Sequence, residues 1–554
     1  MIKFKASRED RIATLLMLVV PIILITIFVL YPLFEMFIST FKSSNGFSIE
    51  AYRDVLFSES FKASFLHSVV TGICTAVLSL VLSVPSALAI NYTKNRFFKY
   101  LYTVIVLSAI ITPPFVSSIA YIELYGRRGL ITYTLLGLRT NPYNASGIVL
   151  MQSITFAPFN VVFLLGALKE INPTIIKSAR DLGANGKHIL VDIILKDISR
   201  TILSLLFLTF VRSIADYGTP IIIGGRYNTV ASDIYMQLVG YSNLQKVSVM
   251  NLTLLVPSLI AFFFYMRCDK RLTKDRGILN ITSNVNFLLK KSGLLGVFSY
   301  FVSTIYVIII GLQYFAILLL SITKHTKNGY IFTLEHINRF ITYNSTVFLR
   351  SIVYSLIVSF LGTFLALLLS FYLSRKGNRI KSIVEVIIML PYTIAGISFG
   401  IGYIMAFNHK PIYLVGTASI VISNMIFKQF PVTYRIINDY ISRIPISIDN
   451  AAKDLGASNL RVFFSHILPL MKKSFFTSFA YNFSSSMTTA GAILFLINPS
   501  KLLQVFKLFD AIYVGDYGVA AVMSEAIIIV VLLSEMIFSI LMRIKIGDKR
   551  VFRS

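Results

Sequence analysis

The chain has 554 residues, 56% of them hydrophobic and 14% charged, with a mean hydropathy of +0.75 and a formal net charge of +27. This composition excludes an ordinary soluble domain and places the chain in a bilayer, so the basic excess answers to a membrane rather than to nucleic acid. Two cysteines, Cys74 and Cys268, exclude a disulfide framework and a cysteine metal centre.

A helix crosses the hydrocarbon core with about 20 apolar residues, because each backbone polar group must be satisfied within the segment. The first such run, 12–33, follows Lys3, Lys5, Arg8 and Arg11 and lacks a small-x-small cleavage site, so it reads as an uncleaved span. Next come 65–90, 101–122 with Pro113 and Pro114 inside it, and 146–168. A polar loop at 169–200 contains "SARDLGANGKHILVDIIL". The fifth span, 201–223, holds Arg212 and Asp216 four residues apart; on one helical face they would neutralise each other, as interhelical glue or as part of a path through the bundle or its gate. The sixth is 248–267, and the polar stretch 268–292 then separates six spans from six.

The second set begins with 293–321, 347–373 and 382–407, the last carrying Pro391 and the close-approach glycines Gly396, Gly400 and Gly402. After 412–433 comes the loop 434–473, with "AAKDLGASNLRVFFSHIL". The span 474–497 contains "SSSMTT", whose Ser485, Ser486, Thr488 and Thr489 form a polar stripe, and 519–542 completes twelve. Glu385, Lys428, Glu525 and Glu535 lie nearer span ends and are expected to reach toward water.

With the amino terminus on the cytoplasmic side, the cytoplasmic segments, with Arg267 at the end of the sixth span, hold 35 Lys and Arg and the opposite side 14. That asymmetry places both termini and both quoted loops in the cytoplasm. The expected architecture is an all-α polytopic membrane protein of about 12 transmembrane helices in two pseudo-symmetric six-helix halves: 1–267, a linker at 268–292, and 293–554.

The halves repeat. At an offset of 273, Pro158 meets Pro431, Ala179 meets Ala452, Asp181 meets Asp454, Leu182 meets Leu455, Gly183 meets Gly456 and Ala184 meets Ala457; farther on, Ser213 meets Ser486 and Gly218 meets Gly491. Both copies have one orientation, so the repeat is parallel and the path should run between the halves. Each loop reads as a short helix, a glycine suited to a left-handed turn, and a second amphipathic helix. Two matched hairpins form a docking surface for a two-fold symmetric cytosolic partner. Its contact residues would be Ser178, Ala179, Asp181, Leu182, Gly183 and Ala184 in the first copy, and Ala451, Ala452, Asp454, Leu455, Gly456 and Ala457 in the second.

These loops resemble the pattern E-A-A, three residues, G, nine residues, I-x-L-P of ATP-binding-cassette importer permeases. Both lack the leading glutamate, and the first lacks the final proline. "ADYGTPIIIGGRYNTVASDIY" at 215–235 and "SMTTAGAILFLINP" at 486–499 are similar to fused ferric iron permeases. The resemblance implies a type I ABC importer permease fold and location in a bacterial plasma (inner) membrane. It also implies docking to two copies of a cytoplasmic ABC ATPase and a periplasmic or extracellular solute-binding protein on the far side. Thiamine, phosphonate and polyamine permeases share the architecture.

The chain has no G-x-x-x-x-G-K-[ST]: "DLGANGKH" has Asp181 in place of the first glycine and His188 in place of Ser or Thr. ATP and Mg²⁺ are therefore expected on the partner ATPase, with no cofactor bound by this chain. The histidines at 67, 188, 325, 336, 409 and 466 are scattered, so no metal site is expected. A membrane-bound enzyme would need a clustered nucleophile, base or metal set, which the loops lack. An ion-coupled secondary transporter would need deeply placed acids, of which there are few, and would have no use for two docking loops.

Overall fold

The computed structural model describes residues 8–43, 46–93, 95–112, 114–139, 141–241, 243–275, 293–326, 329–374, 378–496 and 501–543. The 276–292 part of the expected linker lies outside the described residues.

In the first half, α1 (Arg8–Ile25) runs through a π-helical turn (Thr26–Leu30) into α2 (Tyr31–Ser39), and a two-stranded hairpin follows, β1 (Lys42–Ser43) with β2 (Gly46–Phe47). Then come α3 (Glu50–Leu56), α4 (Glu59–Tyr92), α5 (Arg96–Ile111), α6 (Pro114–Tyr125), α7 (Ala145–Glu170), α8 (Pro173–Asp181) and α9 (Gly186–His188). The half closes with α10 (Lys196–Ala215), α11 (Gly218–Ile223), α12 (Val230–Tyr241) and α13 (Leu244–Asp275). The second half repeats the order. It has α14 (Leu294–Ile322), the hairpin β3 (Thr323–Thr326) with β4 (Gly329–Phe332), α15 (Glu335–Ser374), α16 (Asn378–Thr393), α17 (Gly396–Phe407) and α18 (Ala418–Ile441). It continues through α19 (Ile446–Asp454), α20 (Asn459–Val462), α21 (Leu468–Leu470), α22 (Lys472–Thr488), α23 (Gln504–Val514) and α24 (Tyr517–Arg543).

The repeat is wider than one offset reveals. Helices α5 and α16 both run 16 residues and α6 and α17 both run 12, at an offset of 282. From α7 and α18 onward the offset is 273, because the connection 126–144 is nine residues longer than 408–417.

Seven helices are long and apolar enough to cross a membrane singly, and the bent pair Lys381–Thr393 with Gly396–Phe407, turning by 108°, makes an eighth. Four of the twelve expected spans fall outside that count for physical reasons. The third is broken between Ile111 and Pro114, the fifth and eleventh stop at Ala215 and Thr488, and Ala418–Ile441 carries Asn424, Lys428, Gln429 and Arg435.

One compact unit takes in residues up to Ser39, Ile341–Lys507 and those from Ala526; the other takes in Thr40–Phe340 and Leu508–Glu525. Each thus contains the first span of the opposite half of the sequence, so packing does not follow the linear division. Apolar surface alone does not bind a span to its neighbours in lipid, and close van der Waals fit decides instead. In the second-named unit α4 packs on α7, α10 and α14. Its seam is Ser64, Ser68, Thr71, Thr75, Ser79, Ser83 and Ser86, all buried at helical spacing. Ser351, Ser355, Ser359, Thr363 and Ser370 are likewise buried on α15 in the other unit. There α17 meets α2 and the segment just beyond α22: a Cβ on Gly402 would lie 3.0 Å from the Pro32 carbonyl oxygen, and one on Gly400 2.4 Å from that of Ala492.

Candidate functional site

The two polar loops have one backbone. Helix α8 begins with Pro173 at its first position and Asn172 as its cap, the Asn172 side chain accepting from Thr174 N at 2.9 Å. It runs nine residues, as does α19. Each then ends in a Schellman turn. Gly183 N donates to Arg180 O at 2.9 Å and Ala184 N to Ala179 O at 2.9 Å; Gly456 N donates to Lys453 O at 2.9 Å and Ala457 N to Ala452 O at 3.0 Å. Gly183 has φ +82° and Gly456 φ +83°, and a Cβ on either would meet nothing within 4 Å. Conformation alone, not space, calls for glycine there.

The turn turns a leucine outward. Leu182 is 88% exposed and Leu455 90% exposed, each at the end of its short helix. Ser178, Asp181 and Gly183, and Ala451, Asp454 and Gly456, are exposed beside them. Ala179, Ala184 and Ala457 are half-buried, and Ala452 is buried. Each loop returns to its span through a π-helical turn, Ile189–Leu195 or Phe463–Ile467.

Among the candidate path residues, the expected Arg212–Asp216 pair does not form. Helix α10 ends at Ala215, and Asp216 is extended (φ −81°, ψ 119°), so the helical i, i+4 relation is lost. Asp216 instead accepts from Gly218 N at 3.0 Å, Thr219 N at 3.4 Å and Gln152 Nε2 at 3.0 Å. The Arg212 guanidinium sits over the rings of Phe156 (4.7 Å) and Phe159 (4.6 Å), and its buried Nη1 has no hydrogen-bond partner.

Helix α22 ends at the equivalent residue, with Thr489 extended (φ −73°, ψ 121°). The Gln429 amide lies 3.2 Å from Ser486 Oγ and 3.4 Å from Thr489 Oγ1, as Gln152 joins Ser213 and Asp216 in the first half. Ser485 supplies a carbonyl that accepts from Thr488 Oγ1 at 3.2 Å and Thr489 Oγ1 at 2.6 Å. Thr488 and Thr489 thus satisfy a carbonyl at the broken helix end, while Ser486 ties it to α18.

Three charges expected to reach toward water have partners inside the protein. Lys428 Nζ donates to the carbonyls of Pro391 and Ile394 at 2.6 Å each, where the ninth span bends. Glu385 accepts from Tyr434 Oη at 3.2 Å, and Glu525 from Ser321 Oγ at 3.0 Å. Bends inside the spans leave carbonyls and hydroxyls that the apolar sequence around them does not reveal.

The family described as "Binding-protein-dependent transport system inner membrane component" matches residues 79–274 and again 359–546. The chain belongs to that family. The permease is 26% identical over 556 residues to the ferric transport system permease protein FbpB of Actinobacillus pleuropneumoniae, covering 96% of this chain and 78% of that protein. FbpB 1 of Haemophilus influenzae is 26% identical over 528 residues, covering 92% of this chain and 81% of that protein. PhnV of Salmonella typhimurium, named for 2-aminoethylphosphonate transport, is 25% identical over 228 residues, covering 39% of this chain and 85% of that protein. The permease is a fused, two-domain, multi-pass inner-membrane subunit of an ABC importer served by a solute-binding protein, and its role is transport rather than chemistry.

Proposed function

We propose that the permease imports ferric iron, with α8 and α19 and their glycine turns serving as twin docking elements for two copies of a cytoplasmic ATPase that holds the ATP and Mg²⁺. Both termini lie in the cytoplasm with these loops, and the 268–292 linker joins the two permease domains on that side. The observation that carries the docking reading is the pair of leucines, 88% and 90% exposed at identical turns in the two halves. An apolar side chain fully in water on a structured turn is a ready anchor for a partner's pocket. Closure of the ATPase dimer would draw the loops together and open the path outward, and hydrolysis would reset it. The iron assignment is supported by ferric relatives that span nearly the whole chain, whereas the phosphonate relative spans 39% of it. Among the path candidates, Arg212 has a buried Nη1 without a hydrogen-bond partner to offer cargo or its chelating anion.

The double variant Leu182→Asp with Leu455→Asp tests the docking reading. Expected is normal insertion, because neither side chain is buried, with loss of at least about 2 kcal/mol of ATPase affinity, roughly a 30-fold weakening in co-purification titrations. Retained binding would refute it. Sealed vesicles with the binding protein and ATP inside the ATPase compartment should take up radiolabelled ferric iron in preference to thiamine, phosphonate or spermidine. Uptake driven by a proton gradient without ATP would favour an ion-coupled carrier.

A further inference from the structure

The connection between the third and fourth spans, 126–144, is nine residues longer than its equivalent in the second half, 408–417. It starts by folding back on the helix it leaves. Gly126 N donates to Ile122 O at 2.8 Å, Gly129 N to Gly126 O at 2.9 Å, and Thr132 Oγ1 to the same Gly126 carbonyl at 3.0 Å. The π-helical turn Leu130–Leu135 therefore packs against α6 rather than standing clear of it, and Leu138 N closes the turn on Thr132 O at 2.7 Å. The segment lies level with the end of a span.

A turn held this closely by its own hydrogen bonds still buries none of its side chains. Tyr133, Leu135, Leu136 and Leu138 are exposed, Leu135 by 78%, whereas 408–417 exposes Tyr413 in that way. Arginines flank the apolar run: Arg127, Arg128 and Arg139 are all exposed, with the Arg127 guanidinium 5.9 Å from the Tyr143 ring centre. No Asp or Glu occurs from Leu124 to Lys169, and the acid just before, Glu123, accepts from Tyr330 Oη at 2.7 Å. The positive charge is thus unopposed within the segment. Helix α7, which follows, is long and apolar enough to cross the membrane, so this connection and the α8 turn lie at opposite ends of that span.

Leucines between arginines, at the level where a helix leaves hydrocarbon, match the boundary between acyl chains and phosphate headgroups: the apolar side chains enter the first and the guanidiniums reach the second. We propose that residues 130–138 lie in that boundary as an interfacial anchor, with Arg128 and Arg139 binding the phosphates of anionic phospholipid. A guanidinium meets phosphate with paired N–H donors, and an anionic leaflet attracts basic side chains at its surface. The anchor supports α6, whose twelve residues are too short to cross the bilayer alone. It is independent of both the cargo and the ATPase.

The chain contains no tryptophan, so Leu135→Trp gives the full-length permease a single reporter. In vesicles of phosphatidylcholine and phosphatidylglycerol, bromine on the upper acyl chain of the lipids should quench its fluorescence, and acrylamide should quench it about three-fold less than it quenches free N-acetyltryptophanamide. Brominated phosphatidylglycerol should quench about two-fold more than brominated phosphatidylcholine at equal mole fraction, and Arg128→Gln with Arg139→Gln should remove that difference. Absence of bromine quenching overturns the proposal, whether acrylamide reaches the residue, which puts the turn in water, or does not, which puts it against protein. Shielding from acrylamide that arises only on adding the solute-binding protein overturns it as well and makes the turn a protein-docking surface. So does a preference for phosphatidylglycerol that is missing, or that persists without the two arginines. Should Leu135→Trp fail to insert, Leu136→Trp is read in the same vesicles against the same outcomes.

Discussion

In the first half Asn160 of α7 faces Thr209 of α10, and in the second half the same two positions hold Thr433 on α18 and Asn482 on α22. The residue types have changed places. Asn160 Nδ2 donates to Thr209 Oγ1 at 3.0 Å and to Ser79 Oγ at 3.0 Å. Thr433 Oγ1 donates to Asn482 Oδ1 at 2.6 Å, and Asn482 Nδ2 to Thr363 Oγ1 at 3.1 Å. What the two halves share is therefore a donor and an acceptor at one depth between three helices, whichever helix supplies the amide. Polar contacts between spans are satisfied locally and tolerate exchange. Where a helix breaks the halves diverge, because a break exposes backbone groups that each half satisfies with different side chains: Asp216 against Thr489.

The sharpest way to break this comparison is at Gly400, whose counterpart is Ser118. Gly400→Val should cost about 3 kcal/mol or more, since its Cβ would lie 2.4 Å from the Ala492 carbonyl oxygen; Ser118→Ala, which removes a buried hydroxyl without a partner, should be neutral within about 0.5 kcal/mol. Yield of folded protein and thermal midpoints report both, and equal losses would show that the two packing surfaces are not as different as described.

A middle-sized effect separates the two helix ends. Asp216→Ala strips three donors of their acceptor and should destabilise by about 2–3 kcal/mol, whereas Thr489→Ala loses a side chain bonded mainly to its own helix and should cost about 1 kcal/mol. Denaturant titration of the two variants measures the gap. The smallest effect sharpens the comparison. Asn160→Thr or Thr209→Asn alone should cost about 0.6–1.7 kcal/mol, and the two together, which copy the second half, should recover to within about 0.3 kcal/mol of the native protein. A double-mutant cycle without recovery would mean the exchange seen between halves is not free.

Part of this was legible beforehand. The repeat could be read from Pro158 onward because nothing interrupts the offset, while α5 and α6 were hidden by the longer connection at 126–144. The two turns at Gly183 and Gly456 were legible because a left-handed residue leaves a mark in the sequence. The Ser and Thr seam of α4 had a readable signal too, hydroxyls every three or four residues in an apolar helix. Arg212 and Asp216 misled, since their spacing fits a helix that in fact ends between them.

Apolar runs and glycine positions by themselves determined that the chain crosses the membrane many times, repeats once and carries two like glycine turns. These follow from local rules: the length a helix needs to span lipid and the backbone angles a residue can adopt. Only the tertiary structure decided which half each first span joins, where the third, fifth, ninth and eleventh spans break, and what satisfies the carbonyls freed there. Those outcomes depend on contacts between residues far apart in the chain, such as Lys428 with Pro391 or Gln152 with Asp216, and no local pattern encodes them.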